Sequence, residues 1–211
     1  MKEIAIFGAG GFGREVKGLI DDINLIEEQY KIVGFYDDGI AKNTIINGLP
    51  VLGGINELNA LDSKLSIALG IGIPDVKSKI ITNITNPLIE YPVLIHPNTN
   101  IGKDDISIGE GTIICAGNIL TCNIKIKKFI TLNLMCTVGH DTIIEDFSSF
   151  MPSVNISGEV NIDTKVYVGT GAKIINQLSI GASTIVGAGA VVAKSLPSNC
   201  TAVGIPAKPI K

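Results

Sequence analysis

Between residues 138 and 162 the chain reads Val138-Gly139-His140-Asp141-Thr142-Ile143-Ile144-Glu145-Asp146-Phe147-Ser148-Ser149-Phe150-Met151-Pro152-Ser153-Val154-Asn155-Ile156-Ser157-Gly158-Glu159-Val160-Asn161-Ile162. Every sixth residue, from Val138 through Ile144, Phe150 and Ile156 to Ile162, is apolar. Extended both ways, the register runs from Ile108 to Val192, fifteen consecutive apolar positions. At 45% hydrophobic content, one fixed register would do this by chance only a few times in a million, roughly. The residue four places after each anchor is mostly small or apolar, as at Thr112, Cys136, Thr142, Ser148, Val154 and Ala172. The residue just after it is glycine at Gly109, Gly139, Gly169, Gly181 and Gly187. Ile95 and Ile101 continue the pattern after a one-residue slip before Ile108. A period of six fits neither a helix nor a hairpin. It fits a triangular parallel β-solenoid with one short strand per face, where the anchor points inward and the glycine serves a tight corner. Three hexads close one coil, so fifteen give about five turns, each burying its neighbour's apolar edge.

The first ninety residues follow another rule. Lys2 to Phe7 reads as a strand, followed by Gly8-Ala9-Gly10-Gly11-Phe12-Gly13 and by Val16, Leu19, Ile20 and Ile23 at helical spacing. Strands are predicted again at Ile32 to Tyr36, Leu65 to Leu69 and Leu88 to Ile95, and a helix at Asp75 to Ile84. That alternation predicts a small parallel α/β sheet. The glycine cluster satisfies the dinucleotide-binding fingerprint, with Asp37 24 residues beyond Gly13. Backbone N–H groups at a helix N-terminus face a phosphate there, and a carboxylate takes ribose hydroxyls. An NAD site is the literal reading, but about four strands make only half of a full dinucleotide-binding domain. The same half-site can hold the diphosphate and ribose of a nucleotide sugar.

The net charge of −3 and the absence of a basic stripe argue against nucleic acid. No apolar run approaches membrane-spanning length, the N-terminus lacks a signal-peptide layout, and Cys115, Cys122, Cys136 and Cys200 show no CxxC spacing. The expectation is a cytoplasmic protein without membrane insertion.

The hexapeptide array, Gly139-His140-Asp141 and Val203-Gly204-Ile205-Pro206-Ala207-Lys208 resemble left-handed β-helix acyltransferases. With the glycine cluster and Asp37-Asp38 before them, they resemble the NeuD/PglD-type sugar acetyltransferases of bacterial surface glycan synthesis over nearly the whole chain. The resemblance implies a Rossmann-like nucleotide-sugar-binding domain over residues 1–92, a left-handed β-helix over 93–196 and a C-terminal tail over 197–211. It implies a homotrimer, acetyl-CoA as co-substrate with no metal, and a nucleotide-sugar acceptor, with sialic acid O-acetylation as the alternative.

Acetyl transfer needs a base for the attacking nucleophile, a polarised thioester and two substrates held together. The chain has two histidines. His96, before Pro97 at the junction of the halves, reads as structural or surface. His140 matches the family's catalytic base, and Asp141 its acidic neighbour. Adjacent residues on a strand point oppositely, so that pairing needs turn geometry, and Glu145 or Asp146 could serve instead. Asn133 falls where the family places a polar residue near the base. Positional match sets Ser149, Thr170 and Ala188 along the coenzyme groove, and Gly10, Gly11, Phe12, Asp37, Asp38 and Gly70 around the acceptor. Many members carry His at the position of Phe12. A zinc enzyme of the γ-carbonic anhydrase type would want three His ligands, one more than the chain has. A non-catalytic NAD- or nucleotide-binding trimer predicts nucleotide binding without acetyl transfer, and a purely structural solenoid leaves the glycine fingerprint without purpose.

Overall fold

The computed structural model describes residues 1–210. The N-terminal part is a parallel sheet with helices. Its elements are β1 (Lys2–Phe7), α1 (Gly11–Ile26), β2 (Tyr30–Tyr36), β3 (Ile45–Ile46), β4 (Leu49–Gly53), α2 (Ile55–Asn59), β5 (Leu65–Leu69), α3 (Pro74–Asn83) and β6 (Ile89–Glu90). The strand order is β3-β4-β2-β1-β5-β6, parallel except for the β3–β4 hairpin. The centre of the sheet, β1 and β5, is buried on both faces by Ile4, Ile6, Ile67 and Leu69, with Val16 and Ile20 of α1 packed above. The sequence reading missed β3 and β4. Their hairpin turns at Asn47-Gly48, both with positive φ (47° and 81°), the dipeptide that this tight turn prefers. The predicted strand from Leu88 to Ile95 is two strands: β6 belongs to the α/β sheet and Leu94–Ile95 begins the solenoid.

The solenoid is a three-sided parallel prism. Its first face stacks Leu94–Ile95, Ile113–Ile114, Thr131–Leu132, Ser149–Phe150, Tyr167–Val168, Ile185–Val186 and Thr201–Val203. The second runs from Asn100–Ile101 to Val191–Val192, and the third from Ile106–Ile108 to Ser179–Ile180. Successive strands pair 18 residues apart, as in Thr131↔Ser149 and Thr137↔Asn155. The first coil is one residue longer: Leu94 pairs with Ile113 and Asn100 with Ile119, but Ile106 with Ile124. The slip seen in the sequence therefore lies between Ile101 and Ile106. The anchors and the residues four later, Thr112, Cys136, Thr142, Ser148, Val154 and Ala172 among them, are buried, with Ile108 and Leu178 half-buried. The hydroxyls inside the prism are satisfied by the next coil, as where Ser148 Oγ donates to the Asp163 carbonyl at 2.9 Å. The stretch expected as a tail, residues 197–211, carries among its described residues one more rung of the first face: Thr201–Val203 pairs with Ile185–Val186 and with Lys208–Pro209.

The corners differ from the sequence reading. From Gly111 to Gly189 every sixth residue, fourteen in all, has φ between 53° and 73°, and ten of these are not glycine. This position lies three after the anchor. The glycines just after the anchor are there for space: a Cβ on Gly139 would stand 2.5 Å from the Gly158 nitrogen, and one on Gly169 2.5 Å from that of Ala188. Coils nest too closely at these points for a side chain.

The α/β part sits on the first face of the early coils. There the outward positions Leu94, Ile113, Thr131 and Ser149 are buried, whereas Ile185, two coils further on, is 45% exposed. Phe129 and Phe147 stack at 5.2 Å on one edge of the contact, with Tyr91 edge-on to Phe129. Lys77 of α3 enters the contact fully buried. Its Nζ donates to the carbonyls of Phe129 and Ser148 and to Thr131 Oγ1, at 2.7, 3.3 and 3.2 Å. Burial pushes its pKa down to about 7.

Candidate active site

His140 and Asp141 stand at the corner between the second and third faces. Asp141 is one of the left-handed corner residues (φ 56°). This supplies the turn geometry that a straight strand would deny: His140 Nδ1 and Asp141 Oδ2 are 2.7 Å apart. Asp141 Oδ1 in turn accepts from Asn123 Nδ2 at 3.0 Å, one coil earlier. These two hydrogen bonds, that from His140 first, hold the Asp141 carboxyl below its ordinary pKa, so at neutral pH it is a carboxylate and can only accept. Nδ1 must then carry the hydrogen of the neutral imidazole, and Nε2 presents a lone pair. Asp146 is engaged elsewhere, accepting from the Lys128 backbone at 2.8 Å.

The ring is seated by a residue that the sequence reading did not pick. Gly158 lies 18 residues after His140, one coil on. A Cβ there would stand 2.4 Å from His140 Nε2 and 2.5 Å from its Cε1, so the imidazole lies against a bare Cα. Adding one coil to His140 would have found it. Gly158→Ala is expected to push the ring off this seat and to lower kcat about 10- to 100-fold, part of what a positioned base supplies. The melting temperature should stay within a few degrees, which circular dichroism alongside steady-state kinetics would check.

The structure does not bring Asn133 to His140. Asn133 sits at the corner between the first and second faces, buried, with Oδ1 accepting from the Leu134 backbone at 2.7 Å. Thr170 and Ala188 stand exposed at that same corner, one coil apart. Ser149 departs from its expected place along a groove: it is fully buried beneath the α/β part, and its Oγ has no partner. His96 is structural, bridging Asp22 of α1 at 3.0 Å and accepting from the Asn98 backbone.

Among the N-terminal residues the expected ligand set divides. Gly10 is the N-cap of α1 without a side-chain cap, and a Cβ on Gly10 or Gly11 would meet nothing within 4 Å. That leaves an open helix N-terminus able to face a phosphate. Gly70, by contrast, is buried, and a Cβ on it would stand 2.5 Å from the Cα of Gly13; one on Gly13 would stand 1.8 Å from the Gly8 carbonyl oxygen. These glycines let α1 close on β1 and β5. Asp37 is committed to the backbone, accepting from Ala9 at 2.9 Å and Gly39 at 2.8 Å. Asp38 accepts from Ile55 N–H at 2.8 Å, at the start of α2. Both carboxylates thus shape the loops around the glycine turn. Phe12, in the first turn of α1, packs half-buried on the core and offers no hydrogen bond.

Within one chain the two halves of the site do not meet. The loop after β5, whose Gly70 and Ile71 pack on Gly13 and Gly8, reaches the solenoid near Met151, which lies 3.7 Å from where a Cβ on Gly72 would be, at the corner between the first and second faces. His140 is at the corner opposite the covered first face. Among the described residues no helix is long and apolar enough to cross a membrane, and no three His, Cys, Asp or Glu side chains are grouped to hold a metal.

The family model described as the PglD N-terminal domain matches residues 3–84. GDP-perosamine N-acetyltransferase of Escherichia coli is 33% identical over 100% of this chain and 97% of its own length. Two solved structures are similar over almost the full length. The acetyltransferase domain of PglB from Neisseria gonorrhoeae, in complex with acetyl coenzyme A, has 31% identity and a TM-score of 0.89, covering 99% of each chain. PerB from Caulobacter crescentus, in complex with CoA and GDP-perosamine, has 27% identity and a TM-score of 0.88, covering 100% of this chain and 98% of its own. The Caulobacter enzyme was also crystallised with one histidine replaced by Asn or by Ala. On this full-length match the chain belongs to the NeuD/PglD-type family of left-handed β-helix sugar acetyltransferases and is an acetyl-CoA-dependent acetyltransferase.

Proposed function

We propose that the chain transfers the acetyl group of acetyl-CoA to the amino group of a nucleotide-linked amino sugar, for bacterial surface glycan synthesis, with His140 as general base. The observation that carries this reading is the Asp141–His140 pair, 2.7 Å apart, which leaves Nε2 free at an exposed corner. Nε2 accepts a proton from the amine as its nitrogen attacks the thioester carbonyl. The C–S bond then breaks, and the proton passes to the departing thiolate of CoA, with no covalent enzyme intermediate. The relatives that act on or hold GDP-perosamine support a GDP-linked 4-amino sugar as acceptor, its diphosphate at the N–H groups of Gly11 and Phe12 above Gly10.

The acceptor turn and His140 lie on opposite sides of one prism, so the reaction takes place between copies of the chain, and a homotrimer is the arrangement this reading requires. Exposed apolar side chains mark the corner and face that a neighbour would cover: Met135 at 65%, Ile119 at 44% and Leu134 at 42%. Acetyl-CoA would lie between prisms along Thr170 and Ala188. The test is thiol release from acetyl-CoA against GDP-, UDP- and dTDP-linked amino sugars and sialic acid, together with mass in solution. Turnover with an amino sugar by a trimer is expected. Turnover with sialic acid alone, or full activity from a stable monomer, would overturn the reading.

A further inference from the structure

Resting on the reading of His140 as base, we infer that Asn123 is a positioning residue for it, acting through Asp141 from one coil away. The corner between the second and third faces carries a column of left-handed residues 18 apart: Asp105, Asn123, Asp141, Glu159 and Gln177, with φ from 45° to 61°. Amides and carboxylates pair off along it. Asn123 Nδ2 donates to Asp141 Oδ1 at 3.0 Å, and Gln177 Nε2 to Glu159 Oε2 at 3.2 Å. Asp141 and Glu159 therefore each have an amide partner in the column, and Asp141 is the one with an oxygen left on the imidazole.

The second bond matters because the corner is exposed. Asp141 has half of its side chain in solvent, where a carboxylate held at one oxygen turns freely about its last torsion. A bond to each oxygen fixes the plane of the group and with it the line from Oδ2 to Nδ1. The coils are tied at the same point by the backbone, Asp141 N donating to the Cys122 carbonyl at 3.2 Å and Glu159 N to that of His140 at 2.7 Å. Asparagine suits position 123 twice over. It tolerates left-handed φ better than most residues, and its amide supplies the donor that the isosteric aspartate would lack.

The test uses the full-length protein and the variant Asn123→Gly, which removes the amide and keeps the left-handed backbone unstrained. It is expected to lower kcat by roughly tenfold, a fraction of what a positioned base supplies, with KM for both substrates unchanged. With only two histidines in the chain, imidazole 15N spectra resolve His140 from His96. The wild-type His140 signal should be that of the Nδ1–H tautomer, and in the variant it should become a tautomer mixture. In an Asp141→Asn background Asn123→Gly should cost nothing further. A wild-type kcat and spectrum in the single variant, or an undiminished loss in the Asp141→Asn background, would overturn the inference. If His140→Ala itself retains normal turnover, the fault lies with the reading of the base.

Discussion

Replacing His140 with alanine should lower kcat by about 1,000-fold, within the 100- to 10,000-fold range of a positioned general base, and leave KM for acetyl-CoA nearly unchanged. The fold has no stake in this side chain. It is 54% exposed, its hydrogen bond is to an exposed neighbour, and its backbone tie, the carbonyl accepting from Glu159 N, survives any substitution. A kinetic loss without a change in melting temperature is therefore the expected signature. It is measured by steady-state thiol release beside calorimetry of both proteins.

The second large effect is on stability and comes from Lys77. A lysine buried with three neutral acceptors and no carboxylate prefers to be uncharged, and its pKa falls from 10.5 to about 7 because the charged form is desolvated. The unfolded chain binds that proton up to about pH 10, whereas the native chain releases it near 7. Native stability therefore rises with pH above 7. Above pH 9 the rise is opposed by Cys115 and Cys136, whose thiols burial pushes up to about 12 and about 11, so the native state keeps protons that the unfolded chain loses. Between pH 7 and pH 9 the gain from Lys77 is about 2 to 3 kcal/mol, two pH units at 1.36 kcal/mol each. Lys77→Met, of similar length and without the titration, should lose this climb. Calorimetric unfolding of both proteins across that window checks it: parallel curves would contradict the assignment.

The hexad period made the prism legible because one inward side chain per strand is needed whatever else the sequence does. Ile144, Phe150 and Ile156 announce their role by spacing alone. The corners were not legible, because the left-handed conformation falls on Phe129, Met135, Phe147 and Lys165, residue types that do not prefer it. Coil-to-coil hydrogen bonds such as Phe129 N to the Glu110 carbonyl at 2.9 Å impose it on them, and local propensity yields to stacking. Lys77 was invisible for a related reason. A lysine in a short helix reads as solvent-facing, and only the docking of α3 on Phe129 and Thr131 buries it. His140 and Asp141 could be read from the family pattern. Asn123 and Gly158 could have been reached by stepping 18 residues either way, once the coil length was known. The roles of Asp37 and Gly70 could not, since a carboxylate that braces a glycine turn and one that grips a ribose follow the same spacing.

The most direct test of the whole account is to incubate the protein with acetyl-CoA and GDP-perosamine and to identify the product by mass and by NMR. The account predicts one acetyl group, joined as an amide to the amino nitrogen of the sugar, formed in step with free CoA and about 1,000-fold more slowly with His140→Ala. An unmodified nucleotide sugar, or an acetyl ester on a hydroxyl with the amine left free, would contradict it.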